Sequence, residues 1–116
     1  MKKNTEKELN STYFVKSRMI PETAELLSSK ETQYMFMEIL EEAKIRFRIT
    51  IRNLIILKDE FQIVIQTIGK TDISEVMKWV KQKFSIRFNK RFNRSGTIWN
   101  SRLKKNKLAT IDKDFL

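Results

Sequence analysis

The sequence predicts an α+β fold of the ferredoxin-like type, a four-stranded antiparallel sheet with two helices in the order β-α-β-β-α-β. Two observations predict it. Two long segments repeat apolar residues at three- and four-residue spacing, which is typical of amphipathic helices. The segments around and between them are rich in β-branched and aromatic residues, and several alternate apolar and polar positions, as half-buried strands do.

The first half of the chain is predicted to contain a polar arm, a strand and a helix. Residues 1–10 form the arm, and residues 11–116 form a single domain that opens with a strand over 11–19. Ser28 and Glu31 have the spacing of a capping box, so a helix is expected to begin there. Its predicted core side comprises Tyr34, Phe36, Met37, Leu40, Ala43 and Phe47.

A hairpin is predicted next, from two strand-like runs over residues 48–57 and 60–66 that are joined by a turn at Lys58-Asp59. The second run alternates, which places two sets of side chains on opposite faces of the sheet. One set is Glu60, Gln62 and Gln66, and the other is Phe61, Ile63 and Ile65.

The second half is predicted to contain a helix and a last strand. Gly69 ends the hairpin, and Asp72 with Glu75 forms a second capping box that opens a helix over residues 73–91. Residues 94–96 interrupt the helical pattern, and residues 97–103 resemble a strand. The apolar stripe of the helix comprises Ile73, Met77, Val80, Phe84 and Phe88.

Composition excludes several classes of function. The 116 residues include no cysteine and no histidine, so disulfides, thiol nucleophiles, imidazole bases and the commonest zinc ligands are absent. Two glycines are too few for a phosphate-binding P-loop. The polar start lacks a secretory signal and no stretch is apolar enough to span a membrane, so a cytoplasmic protein with no membrane partner is expected.

The net charge of +10 is concentrated in one segment. Eleven basic residues and no acid lie between Val76 and Ile111, whereas the rest of the chain is nearly neutral. Like charges repel, and a polyanion offsets that cost, so the segment predicts nucleic-acid binding; an anionic membrane surface and a plain solvated face are the alternatives. Arg48 and Arg52 are expected to add a flank at the sheet edge. The candidate phosphate-binding residues are Lys78, Lys81, Arg87, Lys90, Arg91 and Arg94, extended by Arg102, Lys104, Lys105 and Lys107.

Three segments resemble the HUH tyrosine transposases of the insertion-sequence and REP-associated type. Tyr13-Phe14-Val15-Lys16-Ser17-Arg18 stands where that family has an opening strand with tyrosine, histidine, valine and arginine. The run from Ser74 to Arg91 is similar to the family's second helix. Gly96-Thr97-Ile98-Trp99-Asn100-Ser101-Arg102 is similar to its glycine, tryptophan and arginine signature.

The resemblance implies a metal site and a nucleophile whose residues this sequence lacks. Such enzymes hold a divalent metal with two histidines on the third strand, and a tyrosine on a later helix attacks a phosphate of single-stranded DNA. Glu60 and Gln62 stand at the two histidine positions, and neither Tyr13 nor Tyr34 occupies the nucleophile position. The nucleophile's helix is expected beyond the last residues of this sequence. Two oxygen ligands without a third make a poor Mg²⁺ site, so we predict no catalytic residue, no metal and no cofactor.

The sequence therefore predicts a DNA-binding protein related to tyrosine transposases, which binds single-stranded or hairpin DNA without cleaving it. An active or residual metal-dependent transposase or nuclease, an RNA-binding protein, a structural or interaction protein, and a decayed gene product remain alternatives. The choice between monomer and homodimer is open. Trp99 is expected to anchor the last strand to the core in preference to stacking on a base.

Overall fold

A computed structural model of the chain describes residues 9–21, 23, 29–57, 59–100 and 104–112. These residues form a four-stranded antiparallel sheet in the order β2-β3-β1-β4, together with two long helices. The predicted α+β fold class is confirmed. The elements are β1 (Leu9–Arg18), α1 (Lys30–Arg46), β2 (Ile49–Ile56), β3 (Glu60–Ile68), α2 (Ile73–Arg91) and β4 (Lys104–Asp112).

Both helices begin at a side-chain cap. At α1 the Ser29 hydroxyl accepts a hydrogen bond from the Thr32 amide at 3.1 Å, one residue later than the predicted cap; Ser28 itself lies outside the described residues. At α2 the Asp72 carboxylate accepts one from the Ser74 amide at 2.8 Å, so the predicted cap residue is confirmed. Each bond satisfies an amide that the first turn of a helix leaves without a partner.

The core lies between the two helices and one face of the sheet. The rings of Phe36 on α1 and Phe61 on β3 stack in parallel with their centroids 3.7 Å apart, and Phe84 on α2 meets Phe36 edge-on at 5.3 Å. The whole predicted stripe of α2 is buried in this core, as are Phe61, Ile63 and Ile65 of β3. No helix in the described part of the chain is long and apolar enough to cross a membrane.

The predicted core side of α1 is wrong at two positions. Tyr34 is 66% exposed and Met37 is 48% exposed. The buried side of the helix is centred on Phe36, and at about 100° per residue Tyr34 and Met37 are rotated well away from it. The residues that are buried on α1 are Thr32, Phe36, Ile39, Leu40 and Ala43.

The fourth strand is present, but its predicted position is wrong over residues 97–100, and residues 101–103 lie outside the described residues. Residues 97–100 form only an isolated bridge between Trp99 and Met19, while the fourth strand starts at Lys104 and pairs with β1. Ile98 is fully buried and Trp99 packs against the core. The apolar residues that suggested a strand here are therefore explained by their contacts with the core. β4 has a neighbour on one side only, and the described side chains from Lys105 to Leu108 are all exposed, so no apolar alternation marks it in the sequence.

The hairpin leaves polar side chains on the sheet face opposite the helices. β2 and β3 pair as predicted, and the Leu57 amide donates to the Glu60 carbonyl at 2.9 Å to close the turn. Gly69, with φ +65°, ends β3 in the left-handed region that favours glycine. On β1 the register pairs Lys16 with Gln62 and places both on this second face.

Candidate nucleic-acid interface

The structure distributes the predicted phosphate-binding residues over α2, the turn that follows it and β4. Lys78, Lys81, Arg87, Lys90 and Arg91 are on α2, and Arg94 lies in the turn. Lys105 and Lys107 are exposed on β4. Lys104 also lies on β4, although the structure does not describe its side chain, and Arg102 lies outside the described residues.

Two of the arginines face α1 and form ion pairs with its acids. Arg87 makes a two-pronged contact with Glu42, with N···O distances of 2.7 and 2.8 Å. Arg91 makes the same kind of contact with Glu31. The hydrogen bond with Glu42 raises the pKa of Arg87, and the same bond lowers the pKa of Glu42. These guanidinium groups join the two helices, so their charge is already compensated within the protein.

Arg94 supports the turn after α2. Its Nη1 donates to the Asn89 side-chain oxygen at 2.8 Å, and the Asn89 amide nitrogen in turn donates to the Gly96 carbonyl at 2.8 Å. The turn contains two left-handed residues, Asn93 with φ 51° and Gly96 with φ 92°. Arg94 and Asn89 therefore fix the path of the chain towards Trp99.

A second group of cations has no acidic partner in the described part of the chain. Lys105 of β4 donates to the Ser74 hydroxyl, so its ammonium lies beside the first turn of α2. Lys78 lies one helical turn beyond Ser74 and on the same flank, and Lys81 follows three residues later. Lys107 is two residues from Lys105 and projects to the same side of its strand. We call this group the lysine surface, and it comprises Lys78, Lys81, Lys105 and Lys107.

Lys81 is the most enclosed member of the lysine surface. Its ammonium lies 4.9 Å from the centre of the Trp99 ring, and burial lowers the pKa of Lys81. A cation that is partly removed from water, with an aromatic ring and no carboxylate beside it, gains from a phosphate that approaches it.

Trp99 anchors the segment after α2 to the core, as expected. Its ring centroid lies 5.8 Å from those of Phe61 and Phe84, and its Nε1 donates to the Ser85 hydroxyl at 2.9 Å and to the Lys81 carbonyl at 3.2 Å. The indole therefore fixes the position of Lys81 as well as that of its own segment.

Glu60 and Gln62 lie side by side on the face opposite the helices. The Gln62 amide donates to Glu60 Oε2 at 2.6 Å, and Arg18 Nη2 approaches Oε1 at 3.4 Å. The hydrogen bond from Gln62 lowers the pKa of Glu60 most, and the positive charges of Lys16 and Arg18 lower it further, against the opposing effect of burial.

This arrangement does not fit a divalent metal. Both carboxylate oxygens of Glu60 face donors from the protein, and the nearby positive charge comes from Arg18 and Lys16. Among the described residues, no cluster of three or more histidine, cysteine, aspartate or glutamate side chains could hold a metal ion. Tyr13 packs against the core on the helix side of the sheet, so it does not face Glu60.

Comparison with known proteins identifies the family. A sequence profile described as "Transposase IS200 like" matches residues 12–109. The chain belongs to the IS200-like transposase family. The predicted resemblance to tyrosine transposases is confirmed. No curated protein matches the sequence significantly.

Two solved structures share the fold of this IS200-like chain. A REP-associated tyrosine transposase bound to a REP hairpin has a TM-score of 0.70 and 20% identity over 90% of this chain and 59% of that one. A candidate transposase from Deinococcus radiodurans has a TM-score of 0.68 and 13% identity over 86% of this chain and 80% of that one. The present chain thus spans under two thirds of the length of the REP-associated protein.

Sequence reasoning did not single out the cations of the second sheet face. Lys16 and Arg18 alternate on β1 and pair with Gln62 and Glu60 of β3 across the strands. Their spacing of two residues, matched to that of Glu60 and Gln62, is a signal that the sequence contains. Their pairing depends on the strand register, which only the structure provides.

Proposed function

We propose that this IS200-like chain binds single-stranded or hairpin DNA through the lysine surface and does not cleave it. The observation that carries the proposal is the contrast between two groups of cations on the same helix. Arg87 and Arg91 are compensated by acids of α1, whereas Lys78 and Lys81 form no ion pair with the described residues.

The lysine surface has the physical character of a phosphate-binding site. Its ammonium groups lie on one flank of α2 and on β4, whose Lys105 reaches the first turn of that helix, so a single nucleic-acid backbone can contact them together. Each phosphate that they neutralise releases condensed counterions, which favours binding and makes it sensitive to salt. The cost of grouping like charges, and of partly burying Lys81, is offset in the complex.

The form of DNA that we propose as the ligand, single-stranded or hairpin DNA, is taken from a structurally similar transposase. The structurally similar REP-associated transposase was solved with a REP hairpin. Phosphate contacts fix the register of a protein on a nucleic acid but do not read its bases, so the lysine surface alone predicts affinity and not sequence specificity. A nucleic-acid ligand is consistent with action in the cytoplasm.

The proposed lack of cleavage rests on the second sheet face. Glu60 holds its hydrogen bonds with Gln62 and Arg18, and an added Mg²⁺ would have to displace these donors with few ligands to replace them. We therefore propose that neither Mg²⁺ nor another cofactor takes part in binding.

Fluorescence anisotropy tests the proposal. Labelled hairpin, single-stranded and duplex DNA, with matched RNA, are titrated at several salt concentrations in Mg²⁺ and in EDTA, and the products are run on a denaturing gel. We expect salt-sensitive binding that favours single-stranded or hairpin DNA, no gain in affinity when Mg²⁺ replaces EDTA, and no cleaved strand. Strand cleavage that requires Mg²⁺ would overturn the non-cleaving part, and equally weak binding to every ligand would overturn the binding part.

A further inference from the structure

We infer that a shelf around Trp79 holds an unpaired nucleotide of the DNA bound at the lysine surface. The inference rests on the proposed function and adds a stacking site to it. Trp79 lies on α2, close to the C-terminal end of α1, and is not among the binding residues predicted from the sequence. The shelf comprises Arg46, Phe47, Trp79 and Lys83, with Lys78 at its border.

The shelf combines aromatic rings with cations. The Arg46 guanidinium lies 5.6 Å from the centre of the Trp79 ring and 5.7 Å from that of Phe47. The Lys83 ammonium lies 5.5 Å from the same indole, and the Phe47 ring meets Trp79 edge-on at 5.9 Å. Neither Arg46 nor Lys83 forms an ion pair with a described residue, although the charge of Lys83 contributes to the lowered pKa of Glu42. A nucleic-acid base stacks on the π face of an indole, and a side-chain cation binds the same face. A base can therefore take the place of one of these cations on Trp79.

The shelf has room for a ligand and an open side. A shallow groove of about 290 Å³ runs over Trp79 and Phe47 between Arg46 and Lys78. Glu75 and Gln82 form the remaining rim, and both are exposed. Their oxygens can accept hydrogen bonds from the amino groups of a base, while the cations take the phosphate.

The position of the shelf points to the same nucleic acid. Lys78 belongs to the lysine surface and also lines the groove, so a strand that contacts the lysines of α2 can continue from Lys78 to Trp79. In a duplex the bases are stacked on one another, and only a nucleotide from a loop or a single-stranded end can lay its face on a side chain. The shelf therefore favours DNA that carries unpaired nucleotides.

The experiment compares two labelled hairpins, one with a short single-stranded tail and one without. Wild type is expected to bind the tailed hairpin more tightly. Trp79→Ala should reduce affinity for the tailed hairpin by about tenfold, the scale of one lost stacked base, and should leave the affinity for the tailless hairpin nearly unchanged. Trp79→Phe keeps an aromatic ring at this position and should retain most of the preference for the tailed hairpin. Its behaviour separates the loss of stacking from a general effect of substitution on folding. Tyr34→Ala, which removes an exposed aromatic side chain of α1, is the matched control and should change neither affinity.

A 2-aminopurine base in the tail provides an independent readout. Its fluorescence should be quenched on binding to wild type and much less on binding to Trp79→Ala. If wild type binds neither hairpin, the proposed function itself fails. If it binds both, but its preference and the quenching survive in Trp79→Ala, only the shelf is refuted.

Discussion

At the scale of single residues, Lys81 connects the fold to the proposed ligand most directly. Trp99 holds the backbone of Lys81 through its indole N–H and lies under its ammonium. Burial lowers the pKa of Lys81 because the charged form is partly desolvated. The residue therefore carries a cost in the free protein that a bound phosphate would relieve.

Lys81→Met should separate binding from stability. We expect weaker binding to hairpin DNA and a salt dependence reduced by about one counterion, since one phosphate contact is lost. The free energy of unfolding at neutral pH should change by less than about 1 kcal/mol, because the cation–π contact with Trp99 is partly solvated and no ion pair is broken. Anisotropy and urea unfolding measure the two effects. A variant that loses stability but keeps its affinity would assign Lys81 a structural role.

The pH dependence gives a second check on Lys81. Its folded-state pKa lies below that of the unfolded chain, so the unfolded state binds more protons and wild type gains stability as pH rises through the interval between the two values. The difference in unfolding free energy between wild type and Lys81→Met should therefore shift in favour of wild type as the solution becomes alkaline. Over the same interval the contribution of Lys81 to DNA affinity should fall.

At the scale of elements, the ion pairs between α1 and α2 account for part of the positive segment. Breaking one with Arg87→Gln should lower the free energy of unfolding by about 0.5–1 kcal/mol, a small value because both side chains are partly solvated. Hairpin affinity should hardly change. The charge exchange Glu42→Arg with Arg87→Glu should restore most of the stability in a double-mutant cycle.

Acid should remove the contribution of the same pair. The hydrogen bond from Arg87 lowers the pKa of Glu42, so the stability that the pair adds is present at neutral pH and is lost as pH falls through that lowered value. Lys44→Gln, which breaks an exposed pair with Glu41 within α1, is the control and should cost less. Loss of DNA affinity in Arg87→Gln equal to that in Lys78→Gln would contradict this division of roles.

Most elements follow from sequence patterns, and the exceptions have physical causes. The α2 stripe and the β2–β3 hairpin are predictable because burial on one side imposes a period on their apolar residues. β4 is an exposed edge strand, so burial imposes no pattern on Lys105 or Lys107. The partners of Arg87 and Arg91 lie on α1, 45 and 60 residues away, and depend on how the two helices pack. Sequence therefore locates the positive charge but does not distinguish structural arginines from unpaired lysines.

At the scale of the whole molecule, the net positive charge attracts any polyanion to any part of the protein. If the lysine surface is the binding site, the affinity for DNA depends on the charges of that surface and not on charges elsewhere. The most direct measurement compares two charge-matched double variants by hairpin affinity as a function of salt. Lys78→Gln with Lys105→Gln removes two charges from the lysine surface, and Lys30→Gln with Lys44→Gln removes two from α1. The first pair should lower affinity by about tenfold or more and reduce the salt slope by about two, while the second should change both only slightly. Equal losses in the two pairs would contradict a defined lysine surface and leave only diffuse attraction by the net charge.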